Sequence, residues 1–271
     1  ANMMHSMSPV IITASICGRE KTKECSPYFP ATKDEVIADG IRSYHHGVPQ
    51  LHIHARNNEG VYTYDPVIFK EILDAFRKEC PKAILQISTG GTYTKPDELL
   101  IPLLKLRPDM ATLALQPEES TNIELLKLFE KYGVKPIIEC FSLENARTAI
   151  KLMADGYVKA PMNLEFLYDD HNMDLSFEQV AAELLEFSAM CEKQGSINWS
   201  TCKALNNDPA IHSMAIALGG HCRAGLEDRQ FYADGSYVKA SEDLVDNPMQ
   251  MAKLLGRPLA TYEQAKEILG I

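Results

Sequence analysis

The sequence predicts an α/β protein of the (β/α)8 TIM barrel class with a C-terminal helical extension. Eight short strand-like runs recur along the chain, amphipathic segments separate them, and 271 residues suit one such barrel. Strands that alternate with helices pair in parallel, through right-handed crossovers. An open doubly wound sheet is the competing arrangement. Its dinucleotide-binding version lacks support, because no GxGxxG follows the first strand.

The first strand is expected at residues 10–16. The helix at 32–45 follows, opened by Thr32 as N-cap with Glu35 three residues on as a capping box. Strands are then expected at 50–55, 83–88, 110–115, 136–141, 163–168, 197–202 and 221–226. The helical segments between them fall at 65–79, 95–105, 119–132, 143–155, 176–191 and 208–218. Two further helices, 241–255 and 261–269, read as the last barrel helix and an extension used in packing or association. No linker rich in Gly, Ser or Pro interrupts the chain, so residues 1–271 form a single domain, with 1–8 a floppy leader.

Composition is ordinary for a globular protein, 45% hydrophobic and 24% charged, and a formal net charge of -10 disfavours nucleic acid or an anionic membrane as partner. No apolar run approaches the ~18–20 residues of a membrane span, and no signal-peptide pattern precedes the first strand. Seven scattered cysteines without a CxxC pair fit a reduced cytoplasm. Cys17 and Cys222 read as small core residues rather than nucleophiles, since neither has an activating partner in the sequence.

The segment QLHIHAR places His52 and His54 two residues apart in a strand, so both imidazoles leave the same face. Far along the chain, GGHCRAGLED puts Arg223 and Glu227 on one parity, which makes Glu227 available as a third ligand. Two histidines and one carboxylate leave a Zn²⁺ an open position, the arrangement of a catalytic site. In a barrel the active site lies at the C-terminal ends of the strands. Polar residues expected there are Glu20, His52, His54, Ser88, Thr112, Glu139, Asn163, Glu165, Ser200, Arg223, Glu227 and Asp228. The turn Ser88-Thr89-Gly90-Gly91 suits either an anion cradle or a plain strand-to-helix turn. His221 reads as packed, and His45, His46, His171 and His212 as solvated or capping groups.

Seven motifs taken in order, IITASICGRE, LHIHARN, ILQISTGG, RPDMATL, PIIECF, GGHCRAGLED and GRPLATYEQAKEIL, resemble the β-keto acid cleavage enzyme family from the first strand to the C-terminus. The resemblance implies a zinc-dependent, cytoplasmic and oligomeric barrel that reacts a β-keto acid with acetyl-CoA to give acetoacetate and a new acyl-CoA. It implies His52, His54 and Glu227 as zinc ligands and Arg223 with Asp228 as the base-catalysis pair. Glu20 becomes an acidic residue of the pocket, Ser88 and Thr112 hold the keto acid's carboxylate, and Glu139 is a further pocket carboxylate.

On this view zinc polarises the keto oxygen while Asp228 removes a proton from the acetyl methyl group. The pocket carboxylates Glu20, Glu139 and Glu165 predict a substrate whose distal end is cationic or donates hydrogen bonds. Three mouth loops depart from the family pattern: ALQPEESTN after the fourth strand, LYDDHNMDLS after the sixth and CKALNND after the seventh; Arg229 also replaces a usual Asn. A zinc hydrolase or aldolase working without CoA is the alternative, and a non-catalytic metal-binding relative a second.

Overall fold

A computed structural model describes residues 8–168 and 174–271, apart from the side chain of Asn206. Of the expected leader 1–8, residues 1–7 therefore lie outside the described residues, as does His171, while Ser8 is exposed and its carbonyl accepts from Arg257 Nε at 2.8 Å. Eight parallel strands close into a barrel in sequence order. They are β1 (Ile12–Ser15), β2 (Gln50–Ile53), β3 (Ile84–Ile87), β4 (Met110–Ala114), β5 (Lys135–Cys140), β6 (Met162–Leu167), β7 (Ile197–Cys202) and β8 (His221–Ala224). Helices α1 (Lys33–His46), α2 (Pro66–Glu79), α3 (Ile101–Leu104), α4 (Glu119–Tyr132), α5 (Leu143–Ala154), α6 (Phe177–Gln194), α7 (Asp208–Ala217) and α8 (Ser241–Leu254) follow the strands, and α9 (Tyr262–Leu269) ends the chain.

The Thr32–Glu35 capping box forms as expected, and Gly47 ends α1 with a left-handed backbone. The segment expected as one helix at 95–105 instead begins as a π-helical stretch, Pro96–Leu100, in which the Ile101 N–H bonds to the Pro96 carbonyl, before α3. Pro102 has no N–H to give the Glu98 carbonyl, so the regular ladder is already broken there.

Strand alternation divides the residues into two sets. Ile12, Ala14, Leu51, Ile53, Leu85, Leu113, Ile138, Leu164, Phe166 and Cys222 join the surrounding helices in the main core. The opposite parity is largely polar, and register puts its members side by side. Thr13 aligns with Gln50, Ser15 with His52, His52 with Gln86, Glu139 with Glu165 and Glu165 with Ser200. Hydrogen bonds close this inner layer, such as Gln50 Nε2 to Thr13 Oγ1 at 2.6 Å and Asn198 Nδ2 to Asn163 Oδ1 at 3.0 Å.

Its N-terminal end is sealed by α9. Ala265 and Leu269 pack with Ile11, Ile84, Met110 and Ile137 in a second apolar cluster. Asn163 and Asn198 donate to the Leu269 and Ile268 carbonyls at 3.1 and 2.7 Å. The terminal extension is thus a plug that closes one mouth of the barrel and leaves the other for chemistry. Among the described residues no helix is long and apolar enough to cross a membrane.

Candidate metal centre and active site

At the open end a cavity of about 500 Å³ is lined by residues from loops and strand ends all round the barrel. His52, His54, Ser88, Gly90, Glu139, Arg223, Glu227, Asp228 and Glu20 all border it. Glu20 is exposed at its rim.

His52, His54 and Glu227 each direct one ligand atom to a common point, with those atoms within 4.8 Å of one another. Glu227 Oε1 lies 3.5 Å from His52 Nε2 and 3.2 Å from His54 Nε2, yet it is buried without a hydrogen bond. The Gln86 Oε1 atom accepts a hydrogen bond from His52 Nδ1–H at 2.6 Å, which leaves the Nε2 lone pair facing the carboxylate. Burial pushes the His54 pKa down against the pull of Glu227, so its imidazole is neutral. Burial also opposes ionisation of Glu227, but the Arg223 guanidinium outweighs it and holds the carboxyl well below its usual range. A carboxylate oxygen facing imidazole lone pairs, with no proton between them, is an arrangement that a divalent cation satisfies, and the donor set suits Zn²⁺.

Arg223 is the hub of the neighbouring charges. It donates to Asp228 through Nε at 2.9 Å and Nη2 at 2.7 Å, to Glu227 Oε2 at 2.6 Å and to Glu165 Oε1 at 2.7 Å. Ser15 Oγ donates to Asp228 Oδ2 at 2.7 Å, and Ser200 Oγ to Glu165 Oε2 at 2.9 Å. Asp228 Oδ2 therefore carries two hydrogen bonds and Oδ1 only one, so Oδ1 keeps a lone pair for a proton.

Of the anion cradle, Ser88 and Gly90 line the cavity and Gly91 does not. A Cβ on Gly91 would lie 2.1 Å from Tyr64 Oη and 2.7 Å from Arg19 Nη1, and the residue has φ 85°, so it is glycine for close approach rather than for substrate contact. Thr112, expected to touch the carboxylate, is fully buried below the cavity, and its hydroxyl accepts the Thr89 N–H at 3.3 Å. It braces the turn.

Five residues escaped that reading. Arg19 borders the cavity and donates to the Gly90 carbonyl at 3.1 Å and to Tyr64 Oη at 2.8 Å. Lys203 enters the cavity from the end of β7. Ser15 and Gln86 orient Asp228 and His52; their inward parity beside a polar partner was a signal available in the sequence. Arg56, buried under Phe29, donates to the Cys17 and Gly18 carbonyls and so holds the loop that carries Arg19.

The histidines outside the metal cluster have structural places. His221 Nδ1 accepts the Ile11 N–H at 2.9 Å, and burial lowers its pKa to about 3. His212, expected to be solvated or capping, is instead buried at 2% exposure beneath β7 and β8, with its pKa lowered to about 4 by burial. His46 is an ordinary surface partner of Asp246 at 3.0 Å. Cys17 borders the cavity, but burial pushes its thiol up to about 12, which removes it as a nucleophile.

Against this geometry, the profile of one family, the beta-keto acid cleavage enzymes, matches residues 9–271. The chain belongs to that family. It is 33% identical to a 3-keto-5-aminohexanoate cleavage enzyme of Acetoanaerobium sticklandii, over 98% of this chain and 99% of the relative. It is 28% identical to a 3-oxoadipate:acetyl-CoA acetyltransferase of Cupriavidus necator, over 97% and 95%. Among solved structures, a ternary complex of ObcA with a C4-CoA adduct and oxalate superposes with a TM-score of 0.69 at 18% identity, over 91% of this chain and 68% of that one, a likeness of fold.

Proposed function

We propose that the protein is a zinc-dependent β-keto acid cleavage enzyme that exchanges acyl groups between a β-keto acid and acetyl-CoA. The observation that carries this reading is the orphaned Glu227 Oε1 facing His52 and His54, one residue from the clamped Asp228, in a chain of this family. His52, His54 and Glu227 would hold the Zn²⁺, which supplies a Lewis acid for the keto oxygen. The curated relatives support acetyl-CoA as co-substrate, since one is named for it.

Atom balance revises the proton transfer expected from the sequence. Acetoacetate contains one acetyl group joined to a CH2–COO⁻ unit, and the keto acid already holds that unit as C2 and C1. The bond that forms therefore joins C2 of the keto acid to the acetyl carbonyl carbon, and the bond that breaks is C2–C3. The thiolate released from acetyl-CoA adds to C3 and leaves as part of the new thioester. The proton to be removed is on C2, not on the acetyl methyl group. Asp228 Oδ1 is the acceptor for it, and can return it to C2 of the departing acetoacetate carbanion. Arg223 and Ser15 hold the carboxylate in place, while Ser88, the Gly90 backbone and Arg19 bind the keto acid's carboxylate.

Seven free cysteines and a thioester co-substrate support a cytoplasmic location. Exposed Tyr28, Phe231 and Tyr237, clustered near the mouth, support a homo-oligomer. The reading is tested by mass spectrometry after incubating metal-loaded protein with acetyl-CoA and a panel of short β-keto acids. Acetoacetate and a matching acyl-CoA are expected in equal amounts. Hydrolysis of a lactone or amide, with no CoA exchange across the panel, would favour the zinc hydrolase instead.

A further inference from the structure

Lys203, immediately after β7, has a left-handed backbone with φ 63°, and Leu205 two residues on has φ 51°. Residues with a Cβ disfavour that region, yet the strained turn aims both side chains into the cavity. In a closed barrel of eight strands β7 stands four places from β3, so Lys203 lies across the mouth from Ser88, Gly90 and Arg19. Burial alone would discharge its amine, but Asp228 and Glu227 hold it protonated. Arg223 and Ser15 bond to three of those four carboxylate oxygens, and the fourth, Glu227 Oε1, faces His52 and His54. Among the described residues Lys203 Nζ makes no hydrogen bond or ion pair. Three donors and a full charge thus face the cavity without a protein acceptor.

The expectation of a cationic distal group loses its ground at the same time. Glu165 is consumed by Arg223 and Ser200. Burial and the nearby Glu165 push the Glu139 pKa upward, against its holding a fixed negative charge for a cationic group. Arg19 already serves the β3 cradle, so a second cation on the opposite wall answers a second anion. Lys203 lies in the field of Asp228 and Glu227, beside the reacting centre, whereas the phosphates of CoA stand at the far end of its pantetheine arm, so that anion belongs to the acid itself.

We infer that Lys203 binds a second carboxylate of the substrate, so the β-keto acid cleaved here is a dicarboxylate held between the Ser88–Gly90 turn and the end of β7. The word keto acid rests on the proposed function; the two-anion site does not. Calorimetric titration of zinc-loaded wild type, Lys203→Met and Lys203→Arg with unreactive diacids from glutarate to pimelate, their monomethyl esters and free CoA separates the two.

The best diacid should bind wild type at least tenfold tighter than its monoester. That ratio should fall to near one in Lys203→Met and largely survive in Lys203→Arg. A ratio near one in wild type, or one unchanged by Lys203→Met, would overturn the assignment. So would an equal loss for diacid and monoester, which would mean that Lys203 holds the first carboxylate, or a loss confined to CoA. Diacid binding through Lys203 in a protein that makes no acetoacetate would sink the acyl exchange and leave this site standing.

Discussion

Asp228 is held by three hydrogen bonds and still has one oxygen lone pair for a proton, and that asymmetry makes its role testable. Asp228→Asn keeps the shape and removes the acceptor. It should retain stoichiometric zinc by elemental analysis and lose ~10²–10⁴-fold in kcat, the usual worth of general base catalysis; a severalfold loss would contradict the role. Gln86→Leu, which frees the His52 ring, should weaken zinc affinity ~10–100-fold, measured by competition with a chromogenic chelator. The ligand candidates were legible because HxH in a strand fixes a shared face. Arg19 and Lys203 were not, because loop residues obey no period and the turn that aims Lys203 is visible only in its backbone.

At the scale of the element, β8 and the turn after it bring Glu227 and Asp228 to β1. Gly225 makes this approach possible: a Cβ there would lie 1.8 Å from the Ser15 carbonyl oxygen and 2.6 Å from its carbon, both backbone atoms that cannot swing away. Gly225→Ala should cost about 3 kcal/mol or more in urea unfolding, at the upper end of overpacking, and should impair zinc retention with it. Unfolding and zinc retention within error of wild type would show that the strands can separate without consequence. All eight strands and their helices were legible from apolar runs between amphipathic segments. The π-helical entry to α3 was missed because two prolines six residues apart mark a break without saying how the backbone absorbs it.

For the whole molecule, the main apolar core lies outside the barrel and polar residues fill much of its inside, so buried ionisable groups couple stability to pH. His221 and His212 have folded pKa values of about 3 and about 4 because burial disfavours their charged forms. Below their ordinary value of 6.5 the unfolded chain binds protons that the folded one refuses, so stability is full above that pH and lost as pH falls toward 4. Each histidine adds ~1.4 kcal/mol per pH unit to the slope in the interval where only the unfolded state is protonated. Because the buried Asp208, raised to about 7, contributes with the opposite sign, the difference between variants is the readout: urea midpoints from pH 7 to 4.5 should give a slope smaller by one histidine's share in His221→Gln than in wild type. An unchanged slope would place the coupling elsewhere. The plug formed by α9 was legible as a helix but not as a seal, since its partners on the strands are distant in sequence.

Isotope tracing reaches the central claim, C2–C3 cleavage of a β-keto acid with acyl exchange, most directly. With acetyl-CoA carrying ¹³C in both acetyl carbons and an unlabelled keto acid, the label should appear only in the acetyl half of acetoacetate, and the new acyl-CoA should carry none. Label in the acyl chain of the new thioester, or labelled acetate with no acetoacetate, would contradict the account.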